Sequence, residues 1–256
     1  GRQATRAIQI AIKDAGIRVI DLKMRNKIDF TVLLKLYFLL KKERPDIIHT
    51  HLFHASIIGR IIARLAGIKI VITTQHYSSN FHGRTGVLLD RLTARIANQI
   101  IAVSEAAKKF CVENIGIPQH KIKTVHNGIE LSSSSTQKAK DDIRKRLSPN
   151  NEPIIGCVGR FVPIKGHKYL LRAAVDVIRS YPESKIILLG YGQLKSELVN
   201  LSNKLGISRN VIFLNPSLNV EDFLSIVDIY ILPSLSEGLS ITLLEAMIRA
   251  KPAIAT

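Results

Sequence analysis

A short apolar run passes into a loop with two cations in the stretch Ile154-Ile155-Gly156-Cys157-Val158-Gly159-Arg160-Phe161-Val162-Pro163-Ile164-Lys165-Gly166. The residues at 154–158 predict a buried strand, and the pattern that begins at about residue 168 predicts a helix. A loop between such a strand and such a helix lies at the carboxyl edge of a parallel sheet, where ligands usually bind. Arg160 offers a planar guanidinium and Lys165 a compact ammonium, so the loop is suited to the oxygens of a diphosphate.

The same alternation of short apolar runs and helical patterns extends along the whole chain, and it is typical of βαβ units. In the first half, strands are predicted at 17–22, 46–51, 69–74, 99–103 and 122–125, and helices at 31–42, 55–66, 87–97 and 105–115. In the second half, further strands are predicted at 185–189, 211–214, 229–232 and 253–255, and helices at 168–180, 194–205, 220–227 and 240–250. We therefore predict an α/β fold of two Rossmann-like lobes, with parallel sheets flanked by helices.

One segment breaks the apolar pattern between the two halves. It consists of Ser132-Ser133-Ser134-Ser135-Thr136 and the charged helix predicted at 138–147. Polar, serine-rich stretches of this kind are typical of connections between domains. We predict one lobe at 1–135 and a second at 136–256, which agrees with the usual length of about 100 to 200 residues per domain.

The chain carries a net charge of +17, and the excess lies mainly in the first half. Residues 1–135 hold 21 basic and 9 acidic side chains, whereas residues 136–256 hold 16 and 11. Such a field attracts anionic partners, although it can also serve solubility alone. Aromatic residues, on which bases would stack, make up only 5% of the chain. We therefore favour an anionic membrane surface over nucleic acid.

The sequence predicts no secretory signal and no membrane-spanning helix. Arg2, Arg6, Lys13 and Asp14 interrupt the apolar positions of residues 1–20, whereas a signal peptide has an uninterrupted apolar centre. No apolar run reaches the 18 or so residues that a bilayer crossing requires. We expect a cytoplasmic protein, either free or peripheral on the inner face of the cytoplasmic membrane.

Two carboxylates stand eight positions apart near the end of the sequence, at Glu237 and Glu245. Between them lie Gly238, Leu239 and Ser240, where we expect the last long helix to begin. The free backbone N–H groups of a helix N-terminus attract phosphate, so both carboxylates could face a ligand held there. The alternative is that Glu245 is a solvated charge on an amphipathic helix.

A second glycine-bearing strand exit lies at Leu189-Gly190-Tyr191-Gly192. Gly190 would let a nucleotide approach the backbone closely, although a plain turn between strand and helix explains the glycines as well. A complete G-x-G-x-x-G fingerprint is missing, which counts against a dinucleotide-binding enzyme.

Histidines end two strands predicted in the first half, at His51 and His76. We interpret both as polar residues that line a cleft. For each of them, a purely structural role is an equally good interpretation. A zinc site made of His49, His51 and His54 is the alternative. We reject it because we expect His49 and His51 to point to opposite faces of their strand, and we predict no metal site.

Several short motifs follow one another in a characteristic order. They are Pro45-Asp46-Ile47-Ile48-His49-Thr50-His51, Val103-Ser104, Val125-His126-Asn127-Gly128-Ile129, Val158-Gly159-Arg160 with Lys165-Gly166, and the segment from Glu237 to Glu245. In this order they resemble the retaining glycosyltransferases of the two-Rossmann, GT-B type, called glycosyl transferase group 1 or family 4. The resemblance covers essentially the whole chain, and the last two motifs together are specific.

The resemblance implies an activity and a role for each matched residue. The implied reaction moves a sugar from a nucleoside-diphosphate sugar to a hydroxyl of a glycan or lipid-linked acceptor, with retention and without a metal. Residues 136–256 would form the donor lobe, with Arg160 and Lys165 on the diphosphate, assisted by N–H groups near Gly238 to Ser240. Glu245 would hold the ribose, Glu237 the transferred sugar, and His51 would lie beside that sugar.

The same resemblance implies that the chain is truncated at both ends. Relatives begin with a strand and a glycine-rich loop ahead of Gly1, and they continue beyond Thr256. We expect a role in cell-surface polysaccharide synthesis, such as that of lipopolysaccharide. Two alternatives stay open, namely a non-catalytic subunit that binds a nucleotide sugar and a sugar-nucleotide epimerase of the same architecture.

Overall fold

The structure is a computed structural model that describes residues 12–24, 29–76, 83–130, 136–215 and 218–256. Its contacts divide the chain into two compact units. Of the described residues, the first unit takes 12–75, 83–102 and Cys111–Lys123, and the second takes His76, Val103–Phe110 and those from Thr124 onward. Most of the predicted serine-rich connection, at 131–135, lies outside the described residues, so a boundary at 135 stays a prediction.

The first half of the chain builds a four-stranded sheet in the order β1-β2-β3-β4. Its strands are β1 (Ile47–His51), β2 (Ile70–Gln75), β3 (Gln99–Ala102) and β4 (Ile122–Thr124). Its helices are α1 (Phe30–Glu43), α2 (Phe53–Leu65), α3 (Gly83–Ala94) and α4 (Glu105–Phe110). β1 pairs with β2, and β2 with β3, in parallel. Asp29 caps α1 by accepting hydrogen bonds from the backbone N–H groups of Thr31 and Val32.

Two predicted elements of the first half differ from the structure. Residues 17–24 are irregular rather than a strand at 17–22, and no strand of the described sheet pairs with them. A segment with high β-propensity but no neighbouring strand would leave its backbone N–H and C=O groups unsatisfied, so the propensity alone does not produce a strand. The helix predicted at 105–115 is α-helical only to Phe110, and Cys111–Ile115 forms a π-helical turn.

A buried ion pair crosses the interior of the first unit. Arg60 on α2 and Asp90 on α3 are 0% and 2% exposed, and Nη1 of Arg60 lies 2.6 Å from Oδ1 of Asp90. The other carboxylate oxygen accepts from Nε2 of Gln75 at 3.0 Å, and Nε of Arg60 donates to Thr73 at 3.0 Å. These bonds connect α2 and α3 to the end of β2. Each of them gives a partner to a polar group that burial would otherwise leave unsatisfied.

The second unit holds a five-stranded parallel sheet in the order β7-β6-β5-β8-β9. Its strands are β5 (Ile154–Val158), β6 (Lys185–Leu189), β7 (Val211–Leu214), β8 (Ile229–Leu232) and β9 (Ala253–Ala255). Its further helices are α5 (Gln137–Leu147), α6 (His167–Ser180), α7 (Lys195–Lys204), α8 (Val220–Ile226) and α9 (Ile241–Ile248). The predicted strands of this half are confirmed to the residue. β5 to β8 are buried or half-buried runs bounded by polar, glycine or proline positions, whereas β9 is exposed at each of its positions.

Apolar clusters cover both faces of this sheet. On one face, Cys157 and Leu188 pack with Leu171 of α6 and Leu198 of α7. On the other face, strand residues pack with α5, α8 and α9 through Leu147, Phe223 and Ala246, among others. Cys157 is 2% exposed, and burial raises the pKa of its thiol to about 12. Helices on both faces make the sheet doubly wound.

No helix in the described ranges combines the length and the apolar character that a bilayer crossing requires.

Candidate functional site

Three loops of the second unit meet at the carboxyl edge of its sheet. They leave β5, β6 and β8, and they comprise residues 159–166, 190–194 and 233–240. The strand order reverses at β5, since β6 lies on one side of it and β8 on the other. In open α/β sheets, ligands bind in the crevice at such a switch point, so these loops form the candidate site.

Glycines hold the first two loops in direct contact. A Cβ on Gly190 would lie 1.9 Å from the carbonyl oxygen of Gly159, and one on Gly192 would lie 2.5 Å from that of Phe161. The N–H of Phe161 donates to the carbonyl of Tyr191 at 2.7 Å. No side chain fits between these two backbone segments. Backbone packing therefore explains the glycine at position 190 without any ligand.

The loop that carries Lys165 is also fixed against the strand exit of β8. Pro163–Lys165 forms a 3₁₀ turn that ends at Gly166, whose φ is +65°. A Cβ on Gly166 would lie 1.7 Å from the carbonyl oxygen of Pro233, and the N–H of Leu235 donates to the carbonyl of Ile164 at 2.8 Å. Only glycine combines this left-handed backbone with so close an approach.

This packing brings two predicted site residues together, namely Lys165 and Glu237. Nζ of Lys165 donates to Oε1 of Glu237 at 2.5 Å, and the two side chains are 21% and 23% exposed. The motifs that carry Lys165 and Glu237 were predicted to lie close together, and within the second unit they are joined by this ion pair. A ligand that reaches this point meets a cation and a carboxylate side by side.

Ser240 caps the helix that follows Glu237. Its hydroxyl accepts from the N–H of Leu243 at 3.4 Å, and it lies 3.1 Å from the hydroxyl of Thr242. Thr242 in turn lies 2.7 Å from the buried hydroxyl of Tyr230 at the centre of β8. This relay fixes the first turn of α9 to the sheet, so the orientation of the helix N-terminus is defined. No local sequence pattern indicates this role for Tyr230 or Thr242.

Glu245 lies in the second turn of α9, as predicted, and it is half-buried. Burial raises the pKa of its carboxyl, the nearby Arg249 lowers it and Glu221 raises it further. Burial is also the main cause that raises the pKa of Tyr230, and the negative charges of Glu237 and Glu245 add to it. Both carboxylates therefore act on the same hydroxyl at the start of α9, and Glu245 is not a fully solvated surface charge.

Arg160, Gly238 and Leu239 complete the predicted set in this unit. Arg160 is exposed, two residues after β5, and its guanidinium makes no hydrogen bond or ion pair within the ranges that the structure describes. Leu239 is half-buried. A Cβ on Gly238 would lie 2.3 Å from the carbonyl oxygen of His76, which belongs to the same unit. Gly238 is therefore a point of close backbone approach.

His167 is a site neighbour that sequence reasoning missed. It opens α6 directly after Gly166, is 2% exposed, and packs edge-on against Phe161 with ring centroids 5.1 Å apart. Burial, together with the charge of Lys165, lowers the pKa of its imidazole to about 4. The ring is therefore neutral at pH 7. The only sequence feature that marks His167 is its position directly after Lys165-Gly166, and that position alone does not predict a buried neighbour of the site.

His51 lies in the first unit, exposed at the end of β1. The expectation that His49 and His51 point to opposite faces is wrong, because residues two apart on a strand share a face. Their ring centroids lie 4.2 Å apart, and His49 bonds to Thr74 at 2.7 Å. Across the described residues, no group of three His, Cys, Asp or Glu side chains is arranged to hold a metal ion. The role of His51 beside a sugar stays a prediction.

Comparison with known proteins identifies the two halves separately. The family described as Glycosyltransferase Family 4 matches residues 3–133, and that described as Glycosyl transferases group 1 matches residues 138–256. The chain is 30% identical over 237 residues to UDP-Gal:alpha-D-GlcNAc-diphosphoundecaprenol alpha-1,3-galactosyltransferase of Escherichia coli, covering 88% of this chain and 61% of that protein. It is also 30% identical over 235 residues to D-inositol 3-phosphate glycosyltransferase of Corynebacterium urealyticum, covering 82% and 55%.

The fold has counterparts among solved structures. Anabaena HepE, solved in complex with UDP and glucose, matches with a TM-score of 0.85 at 20% identity, over 97% of this chain and 70% of that one. This likeness confirms the predicted α/β architecture of the GT-B type. The chain spans less than two thirds of the length of the two curated relatives named above.

Proposed function

Because the chain belongs to the family 4, group 1 glycosyltransferases, we propose that the protein of which it forms all or part is a glycosyltransferase. The reaction moves a hexose from a nucleoside-diphosphate sugar to a hydroxyl of a glycan or lipid-linked acceptor, with retention at the anomeric carbon. The observation that carries the proposal is the pairing of Lys165 with Glu237 at the start of α9. A cation, a carboxylate and a helix N-terminus converge there on one point of the ligand edge.

The charges at this edge suit a nucleotide sugar better than a simple anion. A diphosphate needs cations and N–H donors, which Lys165, the exposed Arg160 and the first turn of α9 offer. Hydroxyl groups of a sugar or a ribose need acceptors, which Glu237 and Glu245 offer. Gly190 and Gly238 are points where backbone segments approach closely, so they shape the loops around this site. The site therefore holds acceptors and donors for both parts of the donor substrate.

In the proposed reaction, the bond between the anomeric carbon and the diphosphate oxygen breaks, and the acceptor oxygen bonds to the same face of that carbon. The proton of the acceptor hydroxyl passes to an oxygen of the departing diphosphate. Negative charge grows on the diphosphate, so Lys165 and Arg160 stabilise the transition state more than the ground state. Loss of one such preorganised donor typically raises the barrier by about 2.7 to 4 kcal/mol. No metal is needed in this scheme.

The relatives suggest the class of both substrates. The name of the Escherichia coli relative specifies a UDP-sugar and a lipid diphosphate acceptor, and HepE was solved with UDP and glucose. We extend this to the present chain as a UDP-hexose donor and a glycan or lipid-linked acceptor. A role in cell-surface polysaccharide synthesis follows from such an acceptor. His51 is retained as a candidate contact to the transferred sugar.

An exposed apolar stripe on α1 supports contact with an anionic membrane. Phe30, Leu34 and Phe38 recur every four residues and are 75%, 60% and 64% exposed. Tyr37 and Leu40, in contrast, pack against the core of the first unit. Lys41 and Lys42 lie in the last turn of the helix. The combination of an apolar stripe and cations suits peripheral binding at the inner face of a membrane. In flotation with anionic vesicles, the change Leu34→Glu should abolish recovery with the lipid, whereas Leu235→Glu, at an exposed leucine of the second unit, should leave recovery unchanged.

The experiment that tests the function starts with the donor. UDP, GDP and ADP hexoses are compared by thermal shift, because a ligand that binds only the folded state raises its stability. Incubation of the preferred donor with and without undecaprenyl-diphosphate GlcNAc then separates the alternatives. Product that requires the acceptor supports transfer, and conversion of the donor alone indicates an epimerase. Binding without any conversion, in a protein extended at both ends, would indicate a non-catalytic subunit and refute the proposal.

A further inference from the structure

A cavity of about 530 Å³ lies between α6 and α7 of the second unit. Its walls include Leu198 and Leu201 of α7, and its lining does not include Arg160, Lys165, Glu237 or Glu245. Its volume falls within the range of about 300 to 1,000 Å³ that small-molecule sites occupy. We call it the α6–α7 groove. Val162, Pro163 and Leu194 of its lining belong to the loops of the candidate donor site, so the groove adjoins that site without sharing its charged residues.

Positive charge predominates around this groove. Lys168 and Arg172 line it from α6, Lys204 lines it from α7, and Glu197 is the carboxylate among its lining residues. All four side chains are exposed. In the part of the chain that the structure describes, neither Arg172 nor Lys204 takes part in an ion pair. Cations without a counter-charge beside an apolar wall are available to an anion that has an apolar part.

His167 is a buried polar residue of this lining. It lines the groove, it is 2% exposed, and both of its ring nitrogens lack a hydrogen-bond partner within the described structure. An unsatisfied buried polar group typically costs about 1 to 3 kcal/mol, so such groups are normally paired with protein, water or a ligand. A neutral imidazole has one N–H to donate. Both ring nitrogens are closed to solvent, so a ligand in the groove lies beside the imidazole without a hydrogen bond to it.

We propose that the α6–α7 groove binds a phosphate monoester, with the phosphate at Arg172, Lys168 and Lys204 and the organic part against Leu198 and Leu201. The guanidinium of Arg172 offers the paired donors that phosphate oxygens accept. The site does not depend on the glycosyltransferase proposal, because it uses none of the residues assigned to the donor.

Phenyl phosphate is the probe, since it joins a phosphate to a small apolar group. We expect saturable binding by isothermal titration calorimetry at pH 7.5 in the presence of saturating UDP. Arg172→Gln should weaken it about tenfold, as expected for loss of one charge-assisted hydrogen bond. Arg179→Gln is the matched control, because Arg179 lies on the same helix, outside the groove, and pairs with Asp176. That variant should bind as the unchanged protein does.

A second readout reports on His167 itself. Its ring proton resonances should shift on addition of phenyl phosphate and should keep their positions in Arg172→Gln at the same ligand concentration. If Arg172→Gln and Arg179→Gln weakened phenyl phosphate binding equally, the effect would come from the overall charge of the protein, and the proposal would be overturned. Loss of phenyl phosphate binding on addition of UDP, with no effect of Arg172→Gln, would assign the phosphate to the donor site and overturn it as well.

A phosphate monoester can come from a soluble metabolite or from a lipid. Vesicles with phosphatidic acid form the second arm of the experiment, and vesicles with phosphatidylcholine alone are the reference. Binding to the former that requires Arg172 identifies a lipid source. Binding of phenyl phosphate without binding of these vesicles identifies a soluble source. Absence of both would refute the site.

Discussion

The ammonium of Lys165 lies 2.5 Å from the carboxylate of Glu237, which follows it by 72 residues. The pair closes the crevice between the exits of β5 and β8, and the exposed fraction of each side chain is only about one fifth. In such a setting the two charges stabilise each other more than a surface pair would. An incoming diphosphate therefore has to share Lys165 with Glu237, which links donor binding to the position of that carboxylate.

Substitutions at this pair should act in opposite directions on UDP binding. Lys165→Met removes a charge-assisted bond to phosphate, so we expect UDP affinity to fall about 10- to 100-fold. Glu237→Gln removes the competing carboxylate, so UDP should bind at least as tightly as before, while transfer from a UDP-sugar falls. Calorimetry with UDP and a transfer assay measure the two effects. Equal losses of UDP affinity in both variants would contradict the shared role of Lys165.

Gly166 and Gly206 offer a matched test of backbone packing. Both have positive φ, +65° and +72°, but a Cβ on Gly206 would meet open space. Gly206→Ala should therefore cost only the left-handed strain of roughly 1 to 2 kcal/mol. Gly166→Ala adds the collision with Pro233, so its cost should reach about 3 kcal/mol or more. Urea unfolding measures both, and similar losses would show that the loop can yield.

The buried pair of Arg60 and Asp90 should be strongly coupled. Asp90→Leu leaves a buried guanidinium without its counter-charge, which typically costs about 3 to 5 kcal/mol. Replacing both, as Arg60→Met with Asp90→Leu, should cost clearly less than the sum of the two single changes. The exposed pair of Asp176 and Arg179 is the control, and its loss should change stability by about 1 kcal/mol or less. A double-mutant cycle at both pairs measures this, and additive effects at the buried pair would refute the coupling.

His167 should make stability depend on pH. Its pKa is lowered to about 4 in the folded protein from 6.5, so between these values the unfolded chain binds the proton and the folded protein does not. This contribution is fully present above pH 6.5 and is lost as the pH falls toward 4, by up to about 3 kcal/mol. His167→Phe should flatten the stability profile in this window. His120→Phe, at an exposed position, should leave the profile unchanged; equal flattening in both would contradict the assignment.

The second lobe was largely predictable because β5 to β8 are short apolar runs, buried or half-buried, that are bounded by polar, glycine or proline residues. β5, with the sequence Ile154-Ile155-Gly156-Cys157-Val158, is buried at every position, so the sequence pattern and the packing agree. Residues 17–22 carry a similar pattern, yet they form no strand, since pairing depends on a neighbour that the local sequence does not specify.

The candidate site was predictable in composition but not in its contacts. Motif order pointed to Lys165, Glu237 and Glu245 as neighbours, and the structure places the first two in contact. Nothing in the sequence indicated that Tyr230 would anchor α9 through Thr242, or that His167 would be buried without a partner. Such contacts depend on residues that are distant in sequence, so local patterns do not carry them.

The position of β5, between β6 on one edge and β8 on the other, also bears on how the chain matures during synthesis. β6 ends at Leu189 and β8 at Leu232, and at about 5 to 20 residues per second the ribosome needs roughly 2 to 9 s to add the residues between them. During that interval one edge of β5 has no partner, and the turn at Gly166 lacks the carbonyl of Pro233 against which it later rests. That edge of β5 is then available for intermolecular strand pairing, so slower translation beyond Leu189 should lower the soluble yield.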